Sequence, residues 1–405
     1  MLTNAFDPAR VRAEFPALDL GIAYFDGPGG SQVPSSVAEA VAGAMTAGLA
    51  NRGSVTDAER RADEVVADAR AAVADLLGAD PRGVVFGRSM TQLTFDFART
   101  LSRDWGPGDE VVVTRLDHDA NIRPWVLAAE RTGATVRWLD FDPETAELDD
   151  LETVLTTRTR LVAVTAASNL LGTRPDVRAI ADAAHEVGAL VYVDGVHLAP
   201  HAPVDLAALG ADFLGCSPYK FFGPHLGVLA ARPALLERLT PDKLLPSTDA
   251  VPERFELGTL PYELLAGVTA AVDFIAGLAD DEADRRDRRA RVLASMAVVE
   301  EYEAGLLDRL LAGLGAIDGV VLHGRPARRT PTVLFSVAGH AGREVYEELA
   351  RAGVNAPASH FYALEASRRA GLGDEGAVRA GIAPYTTTED VDRLLRAVSQ
   401  KLTPA

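Results

Sequence analysis

The sequence predicts an α/β fold: a large domain on a seven-stranded, mainly parallel mixed sheet, followed by a smaller α+β C-terminal domain. Three observations predict it. The chain has 405 residues, more than one hydrophobic core usually serves, so two domains are the starting expectation. From about residue 60 to residue 232, short β-branched runs alternate with helix-period segments, the rhythm of a doubly wound sheet. After Arg232 that rhythm stops.

The strand-forming runs are Val84–Phe86, Glu110–Thr114, Thr135–Leu139, Leu161–Thr165, Leu190–Val193, Phe213–Cys216 and Gly227–Ala230. Between them, amphipathic periodicity predicts helices at Thr91–Leu101, Ile122–Thr132 and Val177–Val187, each bounded by turn residues. A Pro-interrupted stretch, Thr240–Pro261, then leads into a helix at Tyr262–Leu278. The charged segment beginning at Asp280 reads as a long connecting helix, and its run Asp280–Arg291 as a solvated face with i,i+4 pairs. Beyond Val320 come a strand at Thr332–Val337 and helices at Gly342–Ala352 and Thr388–Lys401. The expected division is a large domain at residues 16–262 and a small one made of residues 1–15 and 263–405.

Composition narrows the function classes. Hydrophobic residues make up 48% and charged ones 24%, ordinary for a globular chain, and the formal charge is −18. That acidity disfavours nucleic acid and anionic membrane as partners. A lone cysteine, Cys216, excludes an intrachain disulfide and a thiolate metal cluster, and fits a reducing compartment. No window approaches the roughly 18 uninterrupted apolar residues of a membrane span, and the N-terminal segment has no apolar run after a basic one. The expected location is the cytoplasm.

In open α/β sheets, ligands gather beyond the carboxyl ends of the strands, and polar residues accumulate at those ends here. Ser89-Met90-Thr91 opens a helix, offering hydroxyls and free N–H groups to a phosphate; the plain alternative is an N-cap serine. Asp194 ends the apolar run ALVYV. A carboxylate there would keep a pyridinium nitrogen protonated, or would simply cap a turn. Lys220 stands in the punctuated turn SPYKFFGPH between Tyr219 and Phe221, where partial desolvation frees an amine for Schiff-base chemistry. It could equally be a lysine that snorkels to water. His118, in RLDHDAN, would stack on a cofactor ring or sit in a surface turn.

The stretches YFDGPGGSQVP, DHDANIRPW, ASNLLGT, VDGVHLAPH, SPYKFFGPHLGVL, FELGT and VRAGIAPYTTTEDVDRLL occur in collinear order from about residue 20 to 400. Together they resemble the cysteine desulfurase and selenocysteine lyase family, within aminotransferase class V of the pyridoxal phosphate (PLP) fold-type I enzymes. The resemblance implies a homodimer and pyridoxal 5'-phosphate held as a Schiff base on Lys220, with Asp194 on the pyridine nitrogen and His118 stacked on the ring. It places His197, where these enzymes usually carry glutamine, near the phenolic oxygen together with Asn169. Ser89, Met90, Thr91 and Ser217 would hold the phosphate, and Thr259 would reach the cofactor of the partner subunit. Arg379 matches the arginine that clamps the substrate carboxylate, a task suited to bidentate geometry.

One departure matters. The family keeps a nucleophilic cysteine on a C-terminal loop, in a pattern close to Arg-Thr-Gly-His-His-Cys; this chain reads Pro357-Ala358-Ser359-His360-Phe361-Tyr362. Tyr362 stands at the cysteine position, and Cys216 ends an expected buried strand. The resulting expectation is a PLP-dependent lyase that deprotonates Cα of an amino acid and eliminates a Cβ group, by C–S cleavage of a cysteine-derived substrate. His360 and Tyr362 would then face the substrate. The alternatives are an epimerase or aminotransferase of the same class, and a non-catalytic protein that keeps the fold. Two decoys fall away. Gly27-Pro28-Gly29-Gly30 lacks the third glycine and preceding strand of a dinucleotide fingerprint, so a tight turn lining the site is expected. His197 and His201 are separated by Pro200 and have no third ligand, so no metal is expected.

Overall fold

The computed structural model describes residues 6–279 and 287–401. Its strands among these residues are β1 (Ala23–Tyr24), β2 (Val84–Gly87), β3 (Glu110–Thr114), β4 (Thr135–Leu139), β5 (Thr159–Thr165), β6 (Leu190–Asp194), β7 (Phe213–Cys216), β8 (Gly227–Ala231), β9 (Val320–His323), β10 (Thr332–Val337), β11 (Val354–Asn355), β12 (Ala358–Ser359) and β13 (Ala377–Gly381).

All seven runs expected in the large domain pair into one sheet, in the order β2-β8-β7-β6-β5-β3-β4. Strand β8 is antiparallel to both β2 and β7; every other pairing is parallel. Because β2 and β7 both oppose β8, β2 points the same way as the parallel strands, and its carboxyl end shares their edge. The sheet is buried on both faces, which is why its strands read as continuous apolar runs rather than alternating ones. Val84, Val112, Val162, Val191 and Leu214 face one core, while Val85, Val111, Leu161, Tyr192 and Phe213 face the other. Edge strand β4 is partly exposed, and its Arg137 pairs with Glu110 at 2.8 Å.

The C-terminal region carries a four-stranded antiparallel sheet, β12-β13-β10-β9, and β1 pairs in parallel with β11. Ala23 and Phe25 thereby enter the same core as Val333, Phe335, Val378 and Ala380. The helix Tyr262–Ala276 buries Leu265, Val268, Val272 and Ile275 in the core that lies against the large sheet. The long helix spans Arg288–Gly315, capped by Asp287; residues 280–286 of the expected charged run lie outside the described residues. In the part described, Arg288 and Arg289 reach across to Asp273 and Asp205 instead of pairing along the helix. Tertiary packing has recruited charges that periodicity assigned to solvent.

Several elements escape the sequence reading: the helices Ser35–Thr46 and Asp57–Leu77, and the short strands β1, β9, β11, β12 and β13. Strands of two residues exist only through their partners, so local pattern carries no trace of them. One buried ion pair also positions the site. Glu256 accepts from Arg70 at 2.8 Å and from the Phe86 backbone N–H at 2.9 Å, and so ties the segment that carries Thr259 to β2. Among the described residues, no helix is long and apolar enough to cross a membrane.

Candidate active site

The carboxyl ends of β2, β3, β5, β6 and β7 converge on a cavity of about 470 Å³ lined by Met90, Thr91, His118, Asn169, Asp194, His197, Ser217 and Lys220, together with Pro28, Thr165 and Tyr219. Eight of the expected residues, scattered over the sequence from 90 to 220, therefore share one wall.

Ser89 caps the helix Met90–Leu101, its hydroxyl accepting from the Gln92 N–H at 3.1 Å. The cap rests on β8 at Gly227, where a Cβ would come within 2.1 Å of the Ser89 carbonyl carbon. Only glycine admits that approach. Ser89 and Thr259 do not line the Lys220 cavity; both border an adjoining open cleft of about 1280 Å³ with Gln92 and His225. The expected phosphate ligands are thus divided by the helix N-terminus, Met90, Thr91 and Ser217 on one side, Ser89 and Thr259 on the other.

Asp194 is the last residue of β6, opposite Thr165 and Gly215. It is buried, and burial raises its pKa to about 6 against the opposing effects of the Val196 N–H, 2.9 Å from Oδ1, and of Lys220. Lys220 ends a short 3-10 turn, Pro218–Lys220. Its ammonium donates to the Pro28 carbonyl and lies 4.9 Å above the Tyr219 ring. Burial, then the charge of Arg379, pull its pKa down to about 7 against the pull of Asp194. An amine so placed is substantially neutral near pH 7 and hence nucleophilic.

His118 accepts the Ala120 N–H at Nδ1, 3.0 Å away, so its neutral ring carries the proton on Nε2. Burial first, then Lys220, Arg379 and His360, lower its pKa to about 4. Asp117 holds the loop behind it, accepting from Thr114 and from Asn121 Nδ2 at 2.7 Å, and burial raises that carboxyl to about 8. His197 turns Nε2 toward the hydroxyls of Thr332 and Thr330 at 3.0 and 3.1 Å, while Nδ1 is buried without a partner. Asn169 donates to the Phe361 carbonyl at 3.0 Å and leaves Oδ1 unpartnered. His201 binds Glu303 at 2.9 Å.

The C-terminal region closes the site. Arg379, on β13, is 1% exposed; its Nη1 donates to the Asn169 carbonyl at 2.8 Å and its guanidinium lies 3.7 Å from the centre of the Phe361 ring. The turn Gly27–Gly29 sits against β13 at Gly381, where a Cβ would fall 2.2 Å from Pro28. The tight turn expected there is therefore the one that brings Pro28 to Lys220. Tyr362 is 71% exposed, its ring stacked on His118 at 5.6 Å rather than packed under its loop. His360 accepts the Tyr362 N–H at 3.0 Å. Cys216 is fully buried between β-strand neighbours, and burial, then Asp194, push its thiol pKa far up.

Sequence reasoning missed Thr165, Asp26, His225 and Phe361, and it expected the turn at Pro28 without its bond to Lys220. Thr165 was detectable, since it ends a strand beside Asp194. His225, stacked on Tyr219 at 4.7 Å, and Asp26, facing Arg379, enter only through the fold.

The cavity matches pyridoxal phosphate in chemistry. A buried carboxylate with a single backbone bond suits a ring N–H, the lining residues His197 and Asn169 each keep a buried atom, Nδ1 and Oδ1, without a partner, and an amine of lowered pKa suits an aldehyde.

The family model for aminotransferase class V matches residues 23–394. An uncharacterized protein, MT3887, of Mycobacterium tuberculosis is 38% identical over 98% of this chain and 99% of its own length. A probable cysteine desulfurase of Pseudomonas aeruginosa is 34% identical over 98% of both chains. The solved cysteine desulfurase CsdA of Escherichia coli superposes with a TM-score of 0.85 at 29% identity, over 98% of both chains. The chain is a cysteine desulfurase-like member of the aminotransferase class V family, an enzyme whose cofactor is pyridoxal 5'-phosphate.

Proposed function

We propose that this enzyme is a lyase that removes the Cα proton of an amino acid and expels its Cβ substituent, cleaving the C–S bond of a cysteine-derived substrate. The observation that carries the reading is a pairing of presence and absence. Lys220 and Asp194 share one cavity, while the chain's single cysteine is sealed in a strand core. A persulfide-forming desulfurase needs an accessible thiolate, because the sulfur must be captured by the enzyme. At the loop position proposed for that thiolate stands Tyr362, a phenol that forms no persulfide.

When bound, the cofactor supplies the electron sink for the Cα–H bonding pair. Asp194 would hold a proton at its ring nitrogen, His118 would stack on the ring, and His197 and Asn169 would address the phenolic oxygen. Met90, Thr91, Ser217 and the helix N-terminus at Ser89 would hold the phosphate. Lys220, as a neutral amine, would take the Cα proton. Arg379 anchors the carboxylate, and His360 or Tyr362 protonates the departing sulfur. The C–S bond breaks with its electron pair on sulfur, and the remaining enamine hydrolyses to a keto acid and ammonia.

The proposal includes a cytoplasmic homodimer in which Thr259 completes the partner's phosphate site, and a division into domains at residues 16–262 and at 1–15 with 263–405. Support for the dimer comes from the position of Thr259, exposed on the cleft beside Ser89 and outside its own chain's Lys220 cavity.

The test incubates the holoenzyme with cysteine and with cysteine thioethers, and measures pyruvate, ammonia, alanine, stereoinversion and pyridoxamine phosphate together. Pyruvate and ammonia in equal amounts are expected. Stoichiometric alanine with persulfide on Cys216 overturns the reading; inversion or pyridoxamine phosphate alone assigns an epimerase or an aminotransferase.

A further inference from the structure

Arg379 is the group the proposed function assigns to the substrate carboxylate, yet it is 1% exposed and absent from the wall of the Lys220 cavity. Its guanidinium is covered by Phe361. This half-buried ring stacks on the guanidinium at 3.7 Å. In the two residues that touch it, polar groups are left incomplete. Arg379 Nε and Asn169 Oδ1 are both buried and have no hydrogen-bond partner, although Arg379 Nη1 is held by the Asn169 carbonyl and Asn169 Nδ2 by the Phe361 carbonyl. Buried polar atoms are rarely left so, and an unfilled guanidinium N–H beneath an aromatic cover is the complement of a carboxylate oxygen.

The cover is on a strained strap. Phe361 and Tyr362 hold φ of 50° and 58°, the left-handed region that bulky residues seldom enter. Three contacts tether them: the Asn169–Phe361 bond at 3.0 Å, the Asp119 N–H to the Tyr362 carbonyl at 2.7 Å, and the Tyr362 ring on His118. Asn169, by contrast, leaves β5 through a turn closed by Ser168 and Thr173 and is fixed from both sides. Of these two contacts of Arg379, only Phe361 belongs to a short strap between β12 and the helix Leu364–Arg369.

We propose that Phe361 is the gate of the carboxylate site: its ring covers Arg379 until a substrate carboxylate displaces it, so that the residue selects for an α-carboxylate strong enough to replace an aromatic cover. The proposal rests on the reading of Arg379 as the carboxylate anchor.

The test labels the holoenzyme with phenylglyoxal and follows modification of the Arg379 peptide by mass spectrometry, with propionate or propionamide as protectant. Phe361→Ala is expected to accelerate labelling at Arg379 by about tenfold, the loss of one desolvated cation–π cover, and to lower the propionate concentration that protects by a similar factor. Phe361→Leu, which keeps apolar bulk and the loop's packing, is expected to fall between. An unchanged labelling rate in both variants, with propionate still protecting the parent enzyme, overturns the gate alone. Failure of propionate to protect any of the three, or equal protection by propionamide, overturns the carboxylate reading beneath it.

Discussion

The ammonium of Lys220 donates a hydrogen bond to the carbonyl of Pro28, from a turn that itself rests on the strand of Arg379. Lysine, N-terminal turn and C-terminal arginine are thus one assembly, and the proposed chemistry depends on all three.

Lys220→Ala is expected to abolish the visible absorbance of lysine-bound cofactor and to lower turnover by at least about a thousandfold. In the parent enzyme stripped of cofactor, the rate of covalent capture of added pyridoxal phosphate should rise with pH through a midpoint near about 7, because the neutral amine reacts and its pKa is pulled down to about 7. Stopped-flow absorbance reads the profile; a midpoint above pH 9 would contradict it.

Asp194 carries an opposite signature. Its folded pKa of about 6 exceeds the usual 3.8, so the folded protein without cofactor binds more protons than the unfolded chain between those values, and stability falls as pH rises through that window. Asp194→Asn removes the charge but keeps an acceptor for the Val196 N–H. Cofactor-free protein should gain up to roughly 3 kcal/mol at pH 8, the shift converted at 1.36 kcal/mol per unit, and almost nothing below pH 4. Cofactor affinity should move the other way. Denaturant titrations at the two pH values, with and without cofactor, check both signs.

Arg379→Ala should cost about 1.5–3 kcal/mol in kcat/KM, roughly ten- to hundredfold, through loss of a charge-assisted bond to the carboxylate. Amino-acid amides, which lack the carboxylate, should be much less affected. Steady-state comparison of acid and amide substrates separates a carboxylate anchor from a merely structural arginine.

Cys216→Ser should leave turnover per folded molecule nearly intact, because the thiol is sealed in a core and held neutral. Stability should fall by about 1–3 kcal/mol, since a hydroxyl is placed where a thiol packs. Activity measured alongside equilibrium unfolding distinguishes the two effects; lost turnover in a fully folded variant would restore a catalytic cysteine.

Much of this was legible before any coordinates. Strands β3, β7 and β10 begin and end where their apolar runs do, because a strand buried on both faces writes its burial directly into sequence. The sequence also placed Lys220, Asp194, His118, Asn169, His197 and Ser217 at turns that follow strands, and a parallel sheet brings such turns to one edge. Periodicity and strand-end chemistry are local properties, so they determined the fold class and most of one wall of the cavity, while the motifs carried the resemblance that implied the cofactor. What the tertiary structure alone decided is non-local. Two-residue strands β1 and β11 find each other across more than three hundred positions, carrying Pro28 to Lys220. Helix packing turned Arg288 and Arg289 inward to Asp273 and Asp205. Phe361 reads as one apolar residue in a loop; only the fold lays its ring on Arg379, because that contact is made by side chains on separate elements and leaves no periodicity in the chain.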